Sequence, residues 1–78
     1  MKTFFVQIKC ELGHPYKVAT ALADKEIASE IYSTAGQYDL IAKFYLDDDR
    51  DIGHFVAEEV QSIPGIRDTQ TMITFRAF

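Results

Sequence analysis

Ile31-Tyr32-Ser33-Thr34-Ala35-Gly36-Gln37-Tyr38-Asp39-Leu40-Ile41-Ala42-Lys43-Phe44-Tyr45-Leu46 is the stretch whose reading decides the fold. Leu40, Ala42, Phe44 and Leu46 share one parity, the period of two that marks a half-buried strand. Ile31, Tyr32 and Thr34 give the preceding segment the same β-favouring chemistry. Only Gly36 and Gln37 separate the two. A two-residue connection with glycine leading suits a type II′ turn, whose first central position has a positive φ that glycine adopts cheaply. Ile27 to Ala35 and Tyr38 to Leu46 are therefore predicted as the second and third strands, an antiparallel hairpin.

Working outward, Phe4, Val6, Ile8 and Cys10 alternate with Phe5, Gln7 and Lys9, which predicts a first strand over Phe4 to Cys10. Gly13-His14-Pro15 breaks the chain and places a proline at the start of a first helix, Tyr16 to Lys25, with Val18, Ala19 and Leu22 on one side. On the C-terminal flank, Asp47, Asp48, Asp49 and Asp51 precede a helical pattern. Carboxylates there cap free amides and favour the positive end of the helix dipole, a stronger reading than a metal loop. Ile52, Phe55, Val56, Val60 and Ile63 form one apolar face opposite Glu58 and Gln61, until Pro64-Gly65 ends the helix.

The last strand is predicted over Arg67 to Phe78. Thr69, Thr71, Ile73 and Phe75 lie on one parity and Met72, Thr74 and Phe78 on the other. The order β-α-β-β-α-β reads as one α+β domain over residues 1–78, of the ferredoxin-like (split βαβ) kind. Its four-stranded antiparallel sheet carries both helices on one face.

Those helices cover one side only, yet the other parity also carries large apolar groups: Phe5, Ile41, Tyr45 and one set from the last strand. Bare apolar surface costs about 25 cal/mol per Å², and a chain of 78 residues has a core that supplies roughly 3–5 kcal/mol of net stability. Face-to-face dimerisation is the expected solution.

Composition narrows the function. The net charge is -4, and the eight Lys and Arg are scattered, so no surface is expected to track phosphates; direct DNA binding is not predicted. Cys10 is the single cysteine, which rules out an internal disulfide and fits a reducing cytoplasm. The first residues are too short an apolar run for a signal peptide, and none approaches the ~20 residues of a membrane span.

Two motifs then carry a resemblance. Ala35-Gly36-Gln37-Tyr38-Asp39-Leu40 resembles a G-x-Y-D-L hairpin, and Ile63-Pro64-Gly65-Ile66 followed by Asp68-Thr69-Gln70-Thr71 resembles a helix-to-strand passage of the form PGV..T.T. Together, at this spacing and over nearly the whole chain, they are similar to the effector-binding (RAM) domain of the Lrp/AsnC transcription regulators. The resemblance implies a dimer with opposed sheets, assembly of dimers into rings, and an amino-acid effector held between dimers. By position it implies an effector site of Gly36, Tyr38 and Asp39 with Ser33 nearby, and Thr69, Thr71 and Met72 from a neighbouring subunit. A zwitterion needs a carboxylate near its ammonium and amides or hydroxyls near its carboxylate, and Asp39 and the turn amides suit those two ends. Full-length regulators begin with a helix-turn-helix, and none is expected in this chain. The expectation is a sensor domain that acts alone or with full-length Lrp/AsnC regulators.

Each of these residues also has a plainer reading. Asp39 beside a tight turn bonds local amides in many proteins, Gly36 serves the turn, Tyr38 packs across strands, and Thr69 and Thr71 are good strand residues. His14, His54, Cys10 and Glu11 offer too few partners for a metal site, and no cofactor is expected. Small dimeric ferredoxin-like folds also host monooxygenases and isomerases, so an enzyme of that type stands as an alternative. No Ser-His-Asp set, nucleotide-binding glycine loop or confined carboxylate pair is present, however, and no catalytic residue is assigned. A purely structural oligomerisation module is the third reading.

Overall fold

The computed structural model describes all residues, 1–78. Strand β1 (Lys2–Cys10) is followed by helix α1 (Pro15–Asp24), strands β2 (Glu30–Ser33) and β3 (Leu40–Leu46), helix α2 (Ile52–Phe55) and strand β4 (Ile66–Ile73). The sheet order is β2-β3-β1-β4 and every pairing is antiparallel, the arrangement read from the alternating segments.

Parity does what the sequence says it should. Phe4, Val6, Ile8 and Cys10 of β1 and Leu40, Ala42, Phe44 and Leu46 of β3 all turn to the helix side and are buried. They meet Val18 and Leu22 of α1 and Ile52, Phe55, Val56, Val60 and Ile63 from the second helical segment in one core. Phe4 and Phe44 stack at 5.2 Å, and Phe55 meets both edge-on at 6.0 and 5.5 Å, the geometry aromatic quadrupoles favour. Asp51 is the N-cap of α2, its carboxylate accepting from the His54 amide at 2.7 Å, as the acidic run predicts.

Four details differ from the sequence reading. The register Tyr32–Ile41 and Ser33–Leu40 is that of a hairpin centred on Gly36-Gln37, but the tight turn opens into a loop closed by Thr34 N–H donating to the Asp39 carbonyl at 2.8 Å. The cause is competition: the Asp39 amide donates to Ile8 of β1 at 2.9 Å, and the Thr34 hydroxyl takes the Tyr38 carbonyl at 2.9 Å. Gly36 keeps its positive φ, +102°. β2 is accordingly shorter than the predicted second strand.

The second helix is α-helical only through Phe55 and continues as a π-helical turn, Val56–Val60, closed by Gln61 N–H onto the Val56 carbonyl at 2.9 Å. Single π turns of this kind recur at functional places. The last strand stops at Ile73, because its β1 partners run from Phe4 to Cys10 and only Thr74 reaches on to Thr3. Finally, pairing between β1 and β4 shifts register between Lys9 and Cys10.

Candidate functional site

That register shift is where the hairpin is anchored. The β1–β3 ladder ends at Ile8–Leu40, and the next strand amide, Cys10 N–H, donates instead to Asp39 Oδ2 at 2.8 Å. The Asp39 side chain thus replaces a missing rung, with Lys9 Nζ at 4.0 Å from the same oxygen. Burial raises the pKa of the Cys10 thiol, and the Asp39 charge raises it further. The only cysteine is a protonated core residue at neutral pH and no nucleophile.

Tyr38 extends over the uncovered face of the sheet, where its hydroxyl donates to Gln70 Oε1 of β4 at 3.0 Å. Gly36 is at the exposed tip of the loop, and Ser33 ends β2 in the open. These four predicted residues therefore lie together at the hairpin end.

The other three lie apart. Thr69 and Thr71 pair with Ile8 and Val6 and so share the helix-side parity, whereas Met72 pairs with Phe5 and faces the opposite way. β1 and β3 separate β4 from β2, and strands stand about 4.8 Å apart, so Ser33 and Thr71 are on the order of 14 Å from each other. Tyr38 spans that separation, its hydroxyl meeting Gln70 between the two threonines.

One residue was not anticipated. Gln61, read from sequence only as part of a polar helix face, donates from Nε2 to Thr69 Oγ1 at 2.8 Å. Thr69 N–H donates to Asp68 Oδ1 at 2.9 Å. Gln61, Ile66, Arg67, Asp68 and Thr69 line a recess of about 260 Å³, and Lys9, Gln37, Tyr38, Arg67 and Asp68 line a second of about 280 Å³. Arg67 and Asp68 border both, placing a guanidinium and a carboxylate beside hydroxyl and amide groups. That donor set suits the two ends of a zwitterion. The available sequence signal was position alone, since Gln61 stands just before the Pro64-Gly65 turn that leads into β4.

The uncovered face carries its own network. Tyr32 donates to Glu30 Oε1 at 2.5 Å, and Lys43 Nζ is 3.6 Å from Glu30 Oε2. The Tyr32 phenol holds the Glu30 carboxyl below its ordinary range, and the hydrogen bond to Glu30 raises the Tyr32 pKa. Tyr45 is the main cause of an elevated Lys43 pKa. The Lys43 ammonium stands 5.1 Å from the Tyr45 ring centroid and 5.9 Å from that of Phe5, within cation–π range. The two histidines are elsewhere and apart: His14 Nδ1 is 2.9 Å from the Leu12 carbonyl and His54 Nε2 is 3.0 Å from Glu58 Oε1.

Comparison with known proteins agrees with this geometry. The family model described as the Lrp/AsnC ligand binding domain matches residues 3–78. The HTH-type transcriptional regulator FL11 of Pyrococcus abyssi is 33% identical over 72 residues, covering 92% of this chain and 47% of its own length; the chain thus spans about half of that relative. A crystal structure of TTHA0845 from Thermus thermophilus superposes with a TM-score of 0.89 at 32% identity, covering 100% of this chain and 98% of that one. A transcriptional regulator from Neisseria meningitidis, solved as a complex with L-Met, shares the fold at a TM-score of 0.82 and 16% identity. That match covers 96% of this chain and 50% of the regulator. No helix is long and apolar enough to cross a membrane.

Proposed function

Because the chain belongs to the Lrp/AsnC ligand-binding domain family, a family of effector-binding domains of transcription regulators, we propose that its effector is a free amino acid held between subunits. The hairpin of one subunit supplies Ser33, Gly36, Tyr38 and Asp39, and β4 of a neighbour supplies Thr69, Thr71 and Met72. The observation that carries the reading is the state of Asp39. Its Oδ2 is committed to the Cys10 amide, so the carboxylate is fixed in place, beside a loop whose glycine has a positive φ. A positioned carboxylate next to loop amides is a receptor for ammonium and carboxylate together. The exposure of Ser33, Gly36 and Met72 in the single chain supports a site completed by a second copy, and the L-Met complex of the Neisseria regulator supports an amino acid as a ligand that this fold can hold.

In this reading the uncovered sheet faces pair to make the dimer, dimers assemble into rings, and Gln61 positions Thr69 by taking one of its hydroxyl lone pairs. The chain itself makes no specific DNA contact, works in the cytoplasm, and acts on transcription through association with full-length Lrp/AsnC regulators, without catalysis.

Calorimetry and thermal melts with each of the twenty amino acids test the proposal. A ligand at a hundredfold excess over Kd adds about 2.7 kcal/mol per site, enough to raise the melting temperature by several degrees. Asp39→Asn keeps an acceptor for Cys10 N–H but loses the charge, so it is expected to fold and to lose the ligand. If no amino acid binds, an oligomerisation module replaces sensing as the reading. A sequence-specific gel shift by the isolated chain at physiological salt contradicts the absence of DNA contact.

A further inference from the structure

The end of β4 leaves apolar groups that the chain itself does not cover. Pairing with β1 finishes at Phe4–Ile73, and the last tie is Thr74, whose amide and hydroxyl both donate to the Thr3 carbonyl, at 3.4 and 2.6 Å. Beyond it Phe75 and Phe78 are 99% and 111% exposed, more than any other large apolar residue in the chain. Arg76 stands 5.5 Å from the Phe78 ring. Two bare phenylalanines within four residues are an unusual thing to expose to water.

The same corner holds a recess of about 560 Å³ between the uncovered sheet face and this segment, whose Thr74, Phe75, Arg76 and Ala77 form one wall, so that a partner's arm would take the place of the chain's own. Phe5, Lys43 and Tyr45 of that face line it. Lys43 lies over two rings there.

We propose that residues 74–78 form an arm received by a second copy of this chain, the rings of Phe75 and Phe78 entering the partner's recess beside Lys43 and Tyr45. The inference rests on the reading that the uncovered faces pair, and adds the segment that locks them. Area favours this occupant. A stable interface needs about 800 Å² from each partner, and the apolar side chains of the sheet face are already partly covered: Phe5 and Ile41 are half-buried, and Tyr45 and Met72 are 45% and 37% exposed. Two phenylalanines add roughly 300–500 Å², a large part of what the face lacks. Exchange is reciprocal in a two-fold dimer, since each copy offers both the arm and the recess.

The test uses Phe75→Trp, which introduces the sole tryptophan of the chain. Tryptophan emission, acrylamide quenching and sedimentation velocity are followed on the same samples during dilution. The expected result is blue, quench-protected emission in the dimer, changing to red and accessible over the concentrations at which the dimer dissociates. Phe75→Ala/Phe78→Ala in the otherwise unchanged chain is expected to weaken dimerisation at least tenfold while the circular dichroism of the monomer stays the same. Exposed emission in an intact dimer, or protected emission that persists in the monomer, overturns the arm alone. A wild-type chain that stays monomeric overturns both the arm and the paired faces.

Discussion

On the helix side of the sheet Phe4, Val6, Ile8, Leu40, Ala42 and Phe44 are all at most 1% exposed, while the residues interleaved with them, Phe5, Ile41, Lys43 and Tyr45, are half-buried or exposed. The same two strands supply both sets. What differs is the covering layer: α1 and the second helical segment dehydrate one face, and nothing in the chain roofs the other. Alternation fixes which side chains share a face, whereas the environment of that face depends on what arrives from outside the strand. On the open side the chain mixes Phe5, Ile41, Tyr45 and Met72 with Glu30 and Lys43, so the exposed face is part apolar and part charged.

The sharpest way to break the contrast is to cut equivalent aromatics on the two sides. Phe44→Ala removes a ring stacked on Phe4 and edge-on to Phe55 and should cost 3–5 kcal/mol or so, close to the whole stability of so small a domain. Tyr45→Ala, one residue along on the open side, should change monomer stability by less than about 0.5 kcal/mol. Urea titration of chains diluted until the dimer has dissociated reads both, and equal losses contradict the assignment of faces.

A smaller effect separates the structural and ligand roles of Asp39. Asp39→Ala leaves Cys10 N–H without its acceptor, so roughly 1–3 kcal/mol should be lost, whereas Asp39→Asn retains most of the stability. Denaturation of the two variants checks this; equal stability of all three proteins means that the replaced rung contributes nothing. Asp51→Ala removes the N-cap of α2 and should cost ~1 kcal/mol, seen as a lower melting temperature. An unchanged melt contradicts the capping role.

The smallest effect concerns the open face. The Glu30 carboxyl is lowered by the Tyr32 phenol, so its contribution is present above the unfolded value of about 4.3 and is lost as pH falls through the lower folded value. Tyr32→Phe removes the donor and should move the Glu30 titration upward toward the unfolded value. Carboxyl NMR reads it, and a Glu30 titration that stays where it was contradicts the hydrogen bond.

The fold was legible because its determinants are local. Alternation in β1 and β3, the apolar stripe from Ile52 to Ile63, and Asp51 ahead of it each act within a few residues, and all three take the predicted places. The details that differ depend on distant partners. Asp39 opens the hairpin turn because its amide and carboxylate bind β1, and Tyr38 reaches Gln70 from 32 residues away. Gln61 becomes visible as a site residue only once the π turn and the Pro64-Gly65 bend bring it onto Thr69. Of the candidate site, the hairpin group comes together at one end of the sheet; strand order sets β2 apart from β4, and Tyr38 crosses to Gln70.

Sedimentation equilibrium of the wild-type chain at micromolar concentration tests the central claim most directly. A dimer or a larger even assembly is expected there, dissociating only at lower concentration. A chain that is wholly monomeric at that concentration, with ordinary resistance to denaturant, would show that the open face is content in water, and would contradict a site built between copies.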